Sequence, residues 1–113
     1  MGYTLRRSRT RTEKLEHELD RIIPIISRHG VEKIVLFGSM RNGNIGPASD
    51  LDLIVVQRTE KRFLDRIDEI IRLINPRCAM DILVYTPEEI RQFSKTNRFI
   101  REALGEGKVM YEK

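Results

Sequence analysis

The chain has 113 residues, 40% of them hydrophobic and 34% charged, and a formal net charge of +4. That length supports one domain able to bury roughly 65% of its unfolded surface, and no apolar run approaches the roughly 20 residues needed to cross a bilayer. No signal-peptide pattern opens the chain and its single cysteine, Cys78, precludes an internal disulfide, so a reducing, cytoplasmic setting is expected.

The charge is unevenly spread. Arg6, Arg7, Arg9 and Arg11 crowd the start beside Tyr3, Thr4, Ser8 and Thr10, with no apolar periodicity. Residues 1–11 are therefore expected as a flexible basic arm and 12–113 as a single domain. The arm could meet nucleic acid or an acidic partner, or remain a solvated tail; no aromatic interleaving or helix-turn-helix pattern supports sequence-specific DNA binding.

Thr10 followed by Glu13 fits a capping box and opens a helix. Leu15, Leu19, Ile22, Ile23 and Ile26 then repeat at helical spacing, so one face packs on a sheet. Pro24 inside that pattern should kink or divide the helix, and His29-Gly30 should end it. His17 and His29 do not form a metal-ligand pair and read as surface residues. Glu32 to Phe37 makes a first strand. Asn42-Gly43 and Gly46-Pro47 are turn signals, so Arg41 to Ser49 is expected as a mobile loop, with room for a helical turn after Ser39. A second strand runs from about Leu51 to Gln57. Phe63, Leu64, Ile67, Ile70, Ile71 and Ile74 mark an amphipathic helix ending near Asn75-Pro76. Ala79 to Tyr85 is a third strand, with Cys78 at its edge as a small core residue. Thr86-Pro87-Glu88-Glu89 combines an N-cap, a first-turn proline and a box glutamate. A last helix, about Asn97 to Leu104, should stop at Gly105 and Gly107, and Val109-Met110-Tyr111 adds a short edge strand or docks on a partner. The order predicts an α/β (α+β) two-layer sandwich: a short mixed sheet of three main strands covered by helices. A Rossmann domain is excluded by the lack of G-x-G-x-x-G after the first strand, and a Walker loop by the lack of Gly-Lys-Ser/Thr after Gly38.

The chemistry concentrates between Gly38 and Asp52. Strand alternation puts Asp50 and Asp52 on one face with Cα atoms about 6–7 Å apart. Two carboxylates on one face at the mouth of an apolar strand repel each other and cost desolvation energy, which a shared divalent cation relieves. Asp81, the only charge in Ala79-Met80-Asp81-Ile82-Leu83-Val84-Tyr85, joins them if its strand is a neighbour. It could then act as a metal ligand and as the base for an acceptor hydroxyl. Gly38-Ser39 after the first strand offers close backbone approach and free N–H groups for phosphate, with the Ser39 hydroxyl and Arg41 as further donors. Phosphate donors beside metal-binding carboxylates suggest metal-assisted handling of a nucleoside triphosphate.

Gly38-Ser39, ten residues, Asp50-x-Asp52 and a later strand aspartate at Asp81 together resemble the signature of the DNA polymerase beta-like nucleotidyltransferases. The short chain is most similar to their minimal branch, the MNT domains, and so to the antitoxin half of HEPN–MNT toxin–antitoxin pairs. The resemblance covers roughly 31–85 and includes Gly43; Met40 departs from it, standing where an arginine is common. It implies a nucleotidyltransferase fold, two Mg²⁺ ions on Asp50, Asp52 and Asp81, and ATP contacted by Gly38, Ser39, Arg41 and Ser49. It also implies transfer of AMP to a tyrosine of a HEPN toxin. Little chain follows the third strand, so the rest of the acceptor pocket is expected from another protein or from a second copy in a homo-oligomer. Alternatives are a small-molecule nucleotidyltransferase, or an antitoxin that neutralises its partner by docking alone.

Overall fold

The structure, a computed structural model, describes residues 10–38 and 50–113. Its elements in chain order are α1 (Arg11–Ser27), β1 (Val31–Phe37), β2 (Leu51–Gln57), α2 (Phe63–Ile74), β3 (Met80–Tyr85), α3 (Pro87–Thr96), α4 (Arg98–Glu106) and β4 (Lys108–Glu112). The strands form one sheet in the order β3-β2-β1-β4. β1 runs antiparallel to both β2 and β4, whereas β2 and β3 are parallel. A parallel pair cannot be closed by a tight turn, and here α2 carries the chain back across the sheet.

Alternation along the strands divides the interior in two. Ile34, Leu36, Leu51, Leu53, Val55, Ile82 and Val84 face Leu15, Leu19, Ile22 and Ile26 of α1 and Ile70 and Ile74 of α2. On the opposite face Val35, Phe37 and Ile54 meet Ile100 and Ala103 of α4, with Leu83, Tyr85, Ile90 and Phe93 packed around them. The fold is thus the expected helix-covered mixed sheet, extended by β4 as a fourth strand.

Both predicted capping boxes are present. The Thr10 hydroxyl accepts from the Glu13 N–H at 3.1 Å while Glu13 accepts from the Thr10 N–H at 2.8 Å, and Thr86 and Glu89 repeat the arrangement at α3. Two expectations give way. Pro24 does not divide α1, which continues to Ser27. The proline is exposed and only the exposed Asp20 carbonyl loses its donor, so that group faces solvent and not the core. Gly105 does not stop α4, because a helix tolerates one glycine at about 1 kcal/mol. The helix ends at Gly107, where a Cβ would lie 2.4 Å from the Ala103 carbonyl oxygen and 2.5 Å from Val35 Cγ1. The turn expected after Ser39 and the loop Arg41 to Ser49 lie outside the described residues.

Two ion-pair hubs, neither evident in the sequence, join one element to the next: the first links α1 to the end of α2, the second links α2 to β3 and α3. Glu18 of α1 takes two hydrogen bonds from Arg21, at 2.8 and 2.9 Å, and one from the Arg77 N–H at 2.8 Å. Arg21 also caps the end of α2 by donating to the Ile74 and Asn75 carbonyls. Arg66, buried in α2, donates to Glu89 at 2.7 Å and to the Val84 carbonyl at 3.2 Å. The hydrogen bond from Arg21 holds the Glu18 carboxyl below its ordinary value, and Arg66 does the same to Glu89. A carboxyl depressed in the folded state stabilises fully above its unfolded pKa, here 4.5, and loses that contribution as pH falls through the folded value. Melting temperature followed by circular dichroism should therefore hold between pH 7 and 5 and fall below about pH 4.5. Glu18→Gln should melt lower than wild type at pH 7 and show a shallower acid decline.

Candidate active site

β1 delivers Phe37 to the end of the sheet, and the backbone then turns at Gly38 with φ of +80°. That left-handed conformation is open to glycine at little cost. Space demands glycine as well: a Cβ on residue 38 would sit 2.4 Å from Asp52 Oδ2. The Asp52 carboxylate therefore lies directly against the Gly38 backbone, with Phe37 its register partner on β1.

On its other side Asp52 is in register with Asp81 across the parallel β2–β3 pair. Register partners on adjacent strands are about 4.8 Å apart and project from the same face. Asp52 is half-buried and Asp81 exposed, so the pair is open at the strand mouths. The expected convergence of Asp81 with Asp52 on one face is what the strand register provides.

Asp50 is placed differently from simple strand alternation. It sits in a bend before β2, its N–H donating to the Ala79 carbonyl at 2.9 Å. Its carboxylate is engaged on both oxygens: Oδ2 accepts from the Ala79 N–H at 3.2 Å and Oδ1 accepts from the Arg11 guanidinium. Among the described residues no three acidic, histidine or cysteine side chains are gathered as a ready metal site. The donor set itself suits a hard cation. It is all carboxylate oxygen, and the missing Cβ of Gly38 leaves the space that the Asp52 carboxylate occupies. Ser39, Arg41 and Ser49, the other candidate nucleotide contacts, lie outside the described residues.

Sequence reasoning assigned Arg11 to the basic arm and missed its place here. A signal was present: Arg11 is the first residue of a helix, the end where a cation meets the positive pole of the macrodipole. Two cavities flank the carboxylates. One of about 190 Å³ opens beside Gly38, between Phe37 and the half-exposed Phe99, whose rings meet edge to face at 5.5 Å. The other, about 280 Å³, lies beside Asp50 between Lys14, Arg77 and Cys78. Burial, reinforced by the Glu18 and Asp50 charges, pushes the Cys78 thiol up to about 11. It is protonated at neutral pH and is no nucleophile, in keeping with its expected packing role.

The sheet, its crossover and the strand-mouth aspartates define an α+β domain built around an acidic turn. A family model, the nucleotidyltransferase domain, matches residues 19–109, and the chain belongs to that family. Among solved structures, the crystal structure of a candidate nucleotidyltransferase from Sulfolobus solfataricus shares the fold. Its TM-score is 0.54 at 21% identity, covering 77% of this chain and 83% of that one. No curated protein matches the chain in sequence.

Gly38→Ala should cost about 1–3 kcal/mol through strain and the collision with Asp52, lowering the melting temperature by roughly 4–12 °C. Unchanged melting would show that the turn relaxes freely. Alkylation of Cys78 by iodoacetamide should be slow at pH 8 and accelerate only as pH approaches 11. Fast labelling at pH 8 would contradict the raised thiol.

Proposed function

We propose that the chain transfers AMP from ATP to a tyrosine hydroxyl of a partner HEPN toxin and thereby acts as its antitoxin. The observation that carries the transfer step is the register of Asp52 with Asp81 beside the Gly38 turn. That arrangement puts two carboxylates next to a backbone bend able to approach phosphate. Asp50, Asp52 and Asp81 would hold Mg²⁺, which supplies neutralisation of the triphosphate charge and a lowered pKa for the acceptor hydroxyl. Gly38, with Ser39 and Arg41 after it, would orient the β- and γ-phosphates. Asp81, the more exposed carboxylate, would take the acceptor proton. The acceptor oxygen bonds to the α-phosphorus, the bond from that phosphorus to the bridging oxygen breaks, and pyrophosphate leaves.

Support for a protein acceptor comes from exposure and from resemblance. Asp81 lies open at the strand mouth, where a hydroxyl on a large partner can reach it. The spacing from Gly38-Ser39 to Asp50-x-Asp52 is similar to that of the MNT antitoxins. One observation favours a second reading, neutralisation by docking alone: the Asp50 carboxylate is already occupied by Arg11 and Ala79.

The two separate on incubation of the chain with its genomic neighbour, labelled ATP and Mg²⁺. Intact-mass analysis should show the neighbour gaining AMP. Asp81→Asn should lower the transfer rate by about 10²–10⁴-fold, the usual worth of a general base, while the two proteins still co-elute. A stable complex without label would establish docking, and unchanged transfer by Asp81→Asn would remove its role as base.

A further inference from the structure

We propose that Arg11 is a built-in counter-ion of the site, a positioning residue whose guanidinium neutralises Asp50 in the metal-free chain and must be displaced before Asp50 can ligate a cation. The inference rests on the assignment of Asp50 and Asp52 as cation ligands. Its own evidence is the contact itself. Arg11 reaches a carboxylate thirty-nine positions away and takes Oδ1, while the Ala79 N–H takes Oδ2. A carboxylate with both oxygens engaged has lone-pair capacity left but also carries a cation beside it, which repels a second one.

Arg11 is poorly placed to serve the helix that contains it. At the first position of α1 its charge opposes the macrodipole. The capping box of Thr10 and Glu13 satisfies that helix end without it and holds the Arg11 backbone in place beside Asp50. The side chain is 56% exposed, against 24% for Asp50. An ion pair with one partner in solvent is weak, so a divalent ion can replace it and the guanidinium can return to water. Neutralisation without metal and easy release are both required of a placeholder. Lys14, which also lines the cavity beside Asp50, has no such contact among the described residues and serves as a control.

The test is Mn²⁺ binding by the full nucleotide-free chain, followed by electron paramagnetic resonance at 0.15 M salt. Arg11→Ala should tighten binding by about 2–5-fold, the range that an exposed ion pair converts to. Arg11→Lys should fall between the two, and Lys14→Ala should shift affinity less than half as much as Arg11→Ala. A purely structural arginine would give the opposite sign, because its loss would loosen Asp50 and weaken the ion. Equal or weaker affinity in Arg11→Ala, with binding still abolished by Asp52→Asn, overturns the role of Arg11 and leaves the carboxylate site standing. Mn²⁺ binding that survives Asp52→Asn, or no binding by any of the chains, overturns the site and this inference together.

Discussion

The parallel pairing of β2 with β3 is the constraint on which the site depends. It sets Asp52 and Asp81 side by side, a placement that mutual repulsion opposes and that ladder hydrogen bonds and the apolar strands enforce. Both strands are apolar on the face opposite the pair, where Leu51, Leu53, Ile82 and Val84 are buried under α1 and α2. A register slip of one residue would drive an aspartate into that core and expose a leucine or isoleucine in its place. The hydrophobic pattern of the opposite face thus holds the carboxylates at the mouth.

Antiparallel β1 supplies the other wall. Its register with β2 sets Phe37 opposite Asp52, and the next residue must both turn the chain and leave room for a carboxylate. Conformation and volume make the same demand at Gly38. The helices are tied in by polar contacts as well as by packing, through Arg66 to Glu89 and through Arg21 to the Ile74 and Asn75 carbonyls. Glu89 is shared between the Thr86 cap and Arg66, so the start of α3 and the crossover helix are fixed relative to one another at one carboxylate.

What could be read from residues alone follows a physical division. Capping boxes at Thr10–Glu13 and Thr86–Glu89, the apolar spacing of α1 and α2, and the alternation of β1 to β3 are local, and local chemistry decides them. The resemblance to the nucleotidyltransferases was legible too, because Gly38-Ser39 and Asp50-x-Asp52, which carry it, are close in sequence. The misses all depend on a partner distant in sequence or on solvent. Pro24 looked disruptive because its exposure was invisible, and Gly105 looked like a stop because nothing local shows that Gly107 is the residue crowded by Val35. Alternation placed Asp50 beside Asp52, but a bend and a contact with a distant arginine govern it. Arg66 reads as one more surface charge on an amphipathic helix, and only the fold reveals it as buried.

The crossover through α2 also bears on how the chain matures. Hairpin-like neighbours such as β1 and β2 can meet early, but β3 reaches its place only after a whole helix has been laid across the sheet, and such non-local closure is slow. Until then Asp81 is remote from Asp52, and a newly made chain carries the acidic turn without its second carboxylate. Pairing of the two carboxylates thus waits on the docking of β3, and a chain in which that crossover has not closed lacks the pair.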